Sequence, residues 1–139
     1  NYMAAGGMFI LMMIVIVFLL LIVPYILFLV NLQNTLAACS QENRAMEPGL
    51  VWLNLIPIFS LFWIFWTVIK IRDSLQKEYE SRSLDTKEVT DTYNMGLGFA
   101  ISSVSGIIPV IGFITGIAAL VFMIIYWIKT SGCRKTLSA

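Results

Sequence analysis

Four apolar stretches along this chain are long enough to enter a bilayer, and polar segments separate most of them. Residues 8–30 are almost wholly Met, Ile, Val, Leu and Phe, and no charge occurs before Glu42. About 20 apolar helical residues cross a hydrocarbon core of about 30 Å, so 8–30 is read as the first membrane segment. Pro24 lies inside it as a kink of the kind membrane helices tolerate. Residues 31–49 form a polar loop ending at Pro48-Gly49, a turn signal. Residues 50–70 are the second segment. Trp52 and Trp66 near its ends suit aromatic belts at two interfaces, and Pro57 breaks its interior, where Asn54 and Ser60 are placed to satisfy the freed backbone groups.

Residues 70–94 carry eleven of the seventeen charges. Ile71, Leu75 and Tyr79 recur every four residues, which predicts that the second helix continues as an amphipathic extension. Asp73–Lys77 and Glu78–Arg82 are i,i+4 pairs in the favourable order. Asp85 with Glu88 fits a capping box, and Leu84 with Val89 fits its hydrophobic staple, so a new helix is expected from about Thr86. This makes 71–92 a cytoplasmic helical region.

Residues 92–128 hold no charge. As one straight helix they would reach about 55 Å at 1.5 Å per residue, too long for one crossing. Gly106-Ile107-Ile108-Pro109 divides them into a short third segment, 93–105, and a fourth, 110–128. Counting Lys and Arg gives one in the first loop, five over 70–87 and three in the tail. The positive-inside rule then places the two basic regions in the cytoplasm, the poor loop outside, and both termini inside. The expected fold is an all-α integral membrane helical bundle, a single domain over 1–139 with four membrane segments, the third and fourth forming a hairpin.

Composition agrees with that solvent. The chain of 139 residues is 59% hydrophobic and 12% charged, against about 45–50% and about 25% in soluble domains. A net charge of +1 supplies no footprint for nucleic acid phosphates. The chain starts Asn-Tyr-Met and not at an initiator Met, which leaves room for residues, or a whole soluble domain, ahead of Asn1. Leu36-Ala37-Ala38-Cys39 matches the cleavage box of bacterial lipoproteins, but the apolar run before it is too long for a signal peptide and has no basic flank.

Candidate chemistry is sparse. The absence of histidine removes the commonest general base and metal ligand. Cys39 and Cys133 are isolated thiols, expected on opposite sides of the membrane. No triad, GxSxG, HExxH or phosphate loop is present, so no catalytic, cofactor or metal residue is assigned and no enzyme is expected. No charge lies within the segments short of Lys70 at the end of the second, and no carboxylate lies in any of them, which disfavours a carboxylate-based proton path. Asn54, Ser60, Thr67, Ser102, Ser103, Ser105 and Thr115 are polar residues at depth, read as helix-packing hydrogen bonders. Gly112 and Gly116 form a GxxxG pattern that lets helices approach closely. Arg44 and Glu47, in the loop before Val51-Trp52-Leu53, are candidates for a local pair or a partner contact. Leu55-Ile56-Pro57-Ile58-Phe59 has a weak echo in Ile107-Ile108-Pro109-Val110-Ile111.

The pattern Pro48-Gly49-x-x-Trp52-x-x-x-Ile56-Pro57, the charged middle helix and the Ile-Pro-containing final hairpin resemble small multi-pass bacterial membrane proteins grouped as domains of unknown function. The resemblance runs from about residue 43 to the tail. It implies a four-helix membrane domain, and it brings no activity to any residue. The expected role is an accessory or scaffolding subunit of a larger assembly in a bacterial inner membrane. Its expected partners are the lipid bilayer and other membrane subunits or further copies of itself. The alternative is a small oligomeric transporter or channel with sites at the Pro57 and Pro109 breaks.

Overall fold

The stripe Ile71, Leu75 and Tyr79 is buried, each residue about 1% exposed, and around it the charged half of the chain is assembled. A computed structural model describes residues 2–105 and 109–138, the side chains of 109–113 excepted. Its helices are α1 (Tyr2–Ala38), α2 (Phe59–Ser81), α3 (Lys87–Ser105) and α4 (Pro109–Ser138), with two 3₁₀ segments, Gln41–Asn43 and Pro48–Leu55, between α1 and α2. No strand occurs among the described residues. Two helical stretches, Tyr2–Ala38 and Ile114–Ser138, are long and apolar enough to cross a membrane. The chain divides into two compact units, 1–30 and 31–139, each described by itself.

The first unit is apolar helix, assigned without a break through Pro24. Every residue from Met8 to Leu21 is at least 48% exposed. A stretch that is hydrophobic and exposed on all sides, as 8–21 is, is surfaced for lipid or for other helices.

In the second unit α2, α3 and α4 are antiparallel neighbours. A Cβ on Gly96 would meet Val68 on one side and Tyr126 on the other, and one on Gly98 would meet Phe122. Nearer the charged end, Thr92 lies 3.5 Å from the thiol of Cys133, and Glu88 reaches both α2 and α4. The two basic regions therefore share one end of the bundle, as the expected topology requires.

The second segment departs from expectation. Residues 50–70 are not one helix, because the chain reverses at Pro57. Pro48–Leu55 descends as a 3₁₀ helix alongside α2, tied to it by Ala45 N–H to Ser74 Oγ (2.8 Å) near the top and Asn54 Nδ2 to Thr67 Oγ1 (3.0 Å) below. Ile58 takes φ 66°, ψ −55°, and α2 then climbs back. The proline forces the reversal, since it has no N–H to continue the 3₁₀ ladder and its ring opposes an unbroken helix.

Two further expectations fall with this reversal. The first loop is not opposite the charged middle region: Ser40 N–H and Oγ each lie 2.9 Å from the Glu78 carboxylate. Hydrogen-bonded groups cannot be separated by about 30 Å of hydrocarbon, so the alternation that put Cys39 and Cys133 on opposite sides fails. The placement of both termini in the cytoplasm used the same alternation and loses that support. Trp52 and Trp66 are not at opposite ends of a span either. Asn54 bonds to Thr67, which brings the two tryptophans to similar heights in adjoining arms.

Smaller corrections follow at the α2–α3 connection. Asp73 pairs with its neighbour Arg72 at 3.0 Å and not with Lys77, while Glu78–Arg82 forms as expected, also at 3.0 Å. Asp85 Oδ1 accepts the Lys87 N–H at 3.0 Å, so α3 starts at Lys87, one residue beyond the expected start. The Glu88 side chain does not complete the capping box; it bonds the Tyr79 hydroxyl at 3.0 Å.

Candidate functional site: the polar shelf at the charged end

Glu78 sits on the buried stripe of α2, three residues after Leu75 and one before Tyr79, and is 1% exposed. A carboxylate at such a depth must be matched by donors or lose its charge. Five contacts supply the match: Ser40 N–H and Ser40 Oγ at 2.9 Å, Asn43 Nδ2 at 2.7 Å, and Arg82 Nε and Nη2 at 3.1 and 3.0 Å. Burial pushes the carboxyl upward, but the bonds from Asn43, Ser40 and Arg82 outweigh it and hold the group down at about 2. Arg82 also donates to the Leu137 carbonyl near the end of α4. One ionised carboxylate thus fastens the loop after α1, the end of α2 and the end of α4.

Arg44 closes the end of α1 from the other side. Its Nε donates to the carbonyls of Leu36 (3.1 Å) and Cys39 (3.0 Å), and its Nη2 to Ala37 (2.9 Å). These are carbonyls a helix C-terminus leaves unpaired, and a cation also suits the negative end of the helix dipole. The expected local pair of Arg44 with Glu47 does not form; Glu47 is exposed at the start of the 3₁₀ helix, where its carbonyl accepts from Leu50. Asn31 adds a further tie. Its Nδ2 donates to Thr130 Oγ1 at 2.7 Å and its Oδ1 accepts from Ser131 Oγ at 2.9 Å.

The chemistry available to this shelf is that of a clamp. Burial, reinforced by the neighbouring Glu78 charge, pushes the Cys39 thiol up to about 12, far from the thiolate a nucleophile requires. A cleft of about 470 Å³ opens between the helix ends, lined in part by Asp85, Glu88 and Asp91 against Lys87 and Lys129. Its mixed charges select no class of ligand. Among the described residues, no three His, Cys, Asp or Glu converge to hold a metal ion.

The other residues singled out from the sequence are scattered. Asn54 is buried and bridges the Val51 carbonyl to Thr67. A Cβ on Gly116 would find nothing within 4 Å, so this glycine is not where helices of this chain approach; Gly96 and Gly98 are. Gly112 lies outside the described side chains, as do the side chain of Pro109 and the second half of the Ile-Pro echo. Pro57 is at the hairpin tip between exposed Ile56 and Ile58, and no polar group of the shelf reaches it.

Sequence reasoning missed Glu78 as an organiser, although the signal was present: a carboxylate in register with Ile71 and Leu75 belongs to the buried face. Ser40, Asn43, Asn31 and Thr130 carried no such signal, because their partners lie 38, 35 and 99 residues away along the chain. The class of protein is an all-helical bundle with two helices long and apolar enough to cross a membrane. No family model, curated protein or solved structure matches the chain.

Proposed function

We propose that this protein is a non-catalytic subunit embedded in a membrane, acting as an accessory or scaffold for a larger membrane assembly. The observation that carries the reading is the bare apolar helix of the first unit, exposed on all sides from Met8 to Leu21. That surface lends itself to helices of another subunit, while the shelf around Glu78 and Arg44 keeps the rest of the chain fixed. Exposed Gly116 within α4 offers a second surface that a neighbouring helix can approach closely. The shared basic end, including Arg72, Lys77, Arg82, Lys87 and Lys129, belongs on the cytoplasmic side by the positive-inside rule, in a bacterial inner membrane. The transporter alternative draws less support, since the Pro57 break ends in apolar side chains and not in converging polar groups.

Purification in a mild detergent followed by native mass spectrometry tests the proposal. A co-migrating membrane subunit is expected, and Gly116→Leu or a leucine-to-serine series on 8–21 should release it while α2–α4 stay folded. A chain recovered alone and monomeric under conditions that preserve other assemblies would overturn it.

A further inference from the structure

The hairpin formed by residues 48–70 reverses at Pro57, with Pro48–Leu55 and α2 side by side. We infer that this hairpin is a re-entrant wedge whose tip at Ile56–Phe59 is covered by acyl chains of the nearer leaflet. Three independent observations carry this.

Height comes first. The contacts of Gly96 with Val68 and Tyr126 set a common level across α2, α3 and α4, and the bonds of Ser40, Asn43 and Ala45 to α2 put the first loop above it. From Lys70 down to Phe59, α2 covers about 17 Å, and from Asp91 down to Ser105, α3 covers about 21 Å, against a hydrocarbon core of about 30 Å. Both helices end before the far side.

Aromatic placement comes second. Proteins that cross a bilayer carry Trp and Tyr at both interfaces. Here Trp66 is adjacent to Thr67, whose hydroxyl bonds Asn54 two residues from Trp52, and Trp127 is adjacent to Tyr126 at the common level. Lys70 lies 4.4 Å over the Trp66 ring and Arg72 lies 4.3 Å over Tyr93, joining this belt to the charged shelf. Trp63 sits one turn lower, stacked on Trp66 at 6.1 Å. Residues 53–62, which form the lower part and tip of the hairpin, hold no Trp, Tyr or charged residue, so the hairpin meets one interfacial belt where a crossing calls for two.

The tip itself is the third. Ile58 is 76% exposed at φ 66°, a conformation that a β-branched residue adopts at a penalty and glycine adopts freely. In water a bulky apolar side chain gains nothing from that position; in hydrocarbon its exposure is favourable. The backbone N–H groups of the turn are bonded with the exception of Ile58, which suits a largely dry setting. The N–H groups of Ile56, Phe59, Ser60 and Leu61 all donate to nearby carbonyls at 2.7–3.2 Å, and Pro57 has no N–H to satisfy.

Single cysteines test the inference in the full chain reconstituted in lipid vesicles, with an impermeant maleimide applied to one face and then to both. The native Cys39 and Cys133, 2% and 0% exposed, set the background in the unsubstituted protein. Glu42→Cys and Glu80→Cys should label from the same face. Ile58→Cys should lose labelling from both faces, and a fluorophore installed there before reconstitution should be quenched by lipids brominated along the acyl chain. Labelling of Glu42→Cys and Glu80→Cys from opposite faces would overturn the inference, as would labelling of Ile58→Cys from either face. Both glutamates are exposed, so those two variants keep the test decisive even where substitution at the tip disturbs folding.

Discussion

Gly96 of α3 lies against the ring of Tyr126 of α4 so closely that a Cβ at position 96 would fall 2.6 Å from Cε1, with Val68 of α2 at 2.8 Å on the other side. Three helices meet at this point because one residue has no side chain. Gly96→Ala should destabilise the bundle by about 2–3 kcal/mol, in the range of overpacked cores. Gly98→Ala also meets a ring, that of Phe122 at 2.6 Å, but Phe122 is only half-buried and can swing outward, so a smaller loss is expected. Gly116→Ala meets nothing and should be neutral or stabilising by up to about 1 kcal/mol from helix propensity. Thermal melting of the three variants in one detergent checks the order; equal losses at 96 and 116 would contradict the helix register given above.

Glu78 makes stability depend on pH in a defined direction. Its carboxyl is held at about 2 in the fold against 4.5 as the ordinary value, so the unfolded chain binds the proton more readily. The stabilisation is therefore complete above about pH 4.5 and disappears as pH falls towards about 2. Melting temperatures between those limits should fall for the wild type and fall less for Glu78→Gln. At neutral pH Glu78→Ala should lose roughly 2 kcal/mol, because Asn43 and Ser40 keep donors without their acceptor. An unchanged acid profile in Glu78→Gln would assign the clamp to another group.

The parts of this fold that were legible in the sequence are those with a local cause. The stripe Ile71, Leu75, Tyr79 announced the extension of α2, and Asp85 announced the start of α3 to within a residue. The ends on either side of the division read at Gly106–Pro109 were also visible: α3 stops at Ser105 and α4 starts at Pro109, a residue suited to a first helical turn, while 106–108 lie outside the described residues. The hairpin at Pro57 was not, although the proline was noticed. A break between two apolar arms permits either a kinked crossing or a reversal, and the choice depends on where residue 54 finds a partner. Asn54 finds it at Thr67, a pairing that leaves no periodic trace. Basic-residue counting then went astray at the first loop for a related reason: it set that loop opposite the middle region only because 50–70 was read as a crossing, and the chain turns back at Pro57.

The end of α2 is built as a Schellman motif around a residue poorly suited to it. Leu84 N–H donates to the Tyr79 carbonyl at 2.8 Å and Ser83 N–H to the Glu80 carbonyl at 3.1 Å, with Ser83 at φ 58°. Glycine is preferred at this position because it lacks the Cβ that opposes the left-handed conformation. Ser83→Gly should raise stability by about 0.5–1 kcal/mol, and Ser83→Val should lower it by more than that, since a β-branched side chain is least tolerated there. Chemical denaturation of the pair, read by tryptophan fluorescence, measures both signs at once.

The two thiols should behave as interior groups despite lying near the charged end. Cys39 is 2% exposed and Cys133 is fully buried; Cys39 Sγ is 3.7 Å from the Thr35 carbonyl. With the Cys39 thiol pushed up to about 12, almost none of it is thiolate at neutral pH, and thiolate is the reactive form. An impermeant thiol reagent applied to the folded protein is expected to modify neither residue, from either face of the membrane, and to modify both after denaturation. Arg44→Ala should change this selectively. Without the guanidinium the carbonyls of Ala37 and Cys39 lose their donor and that of Leu36 keeps only the Cys39 N–H, the last turn of α1 loosens, and Cys39 gains reactivity while Cys133, held beside Thr92 at 3.5 Å, does not. Equal reactivity of both thiols in that variant would show that the shelf opens as one unit and that Arg44 does not act locally on the helix end.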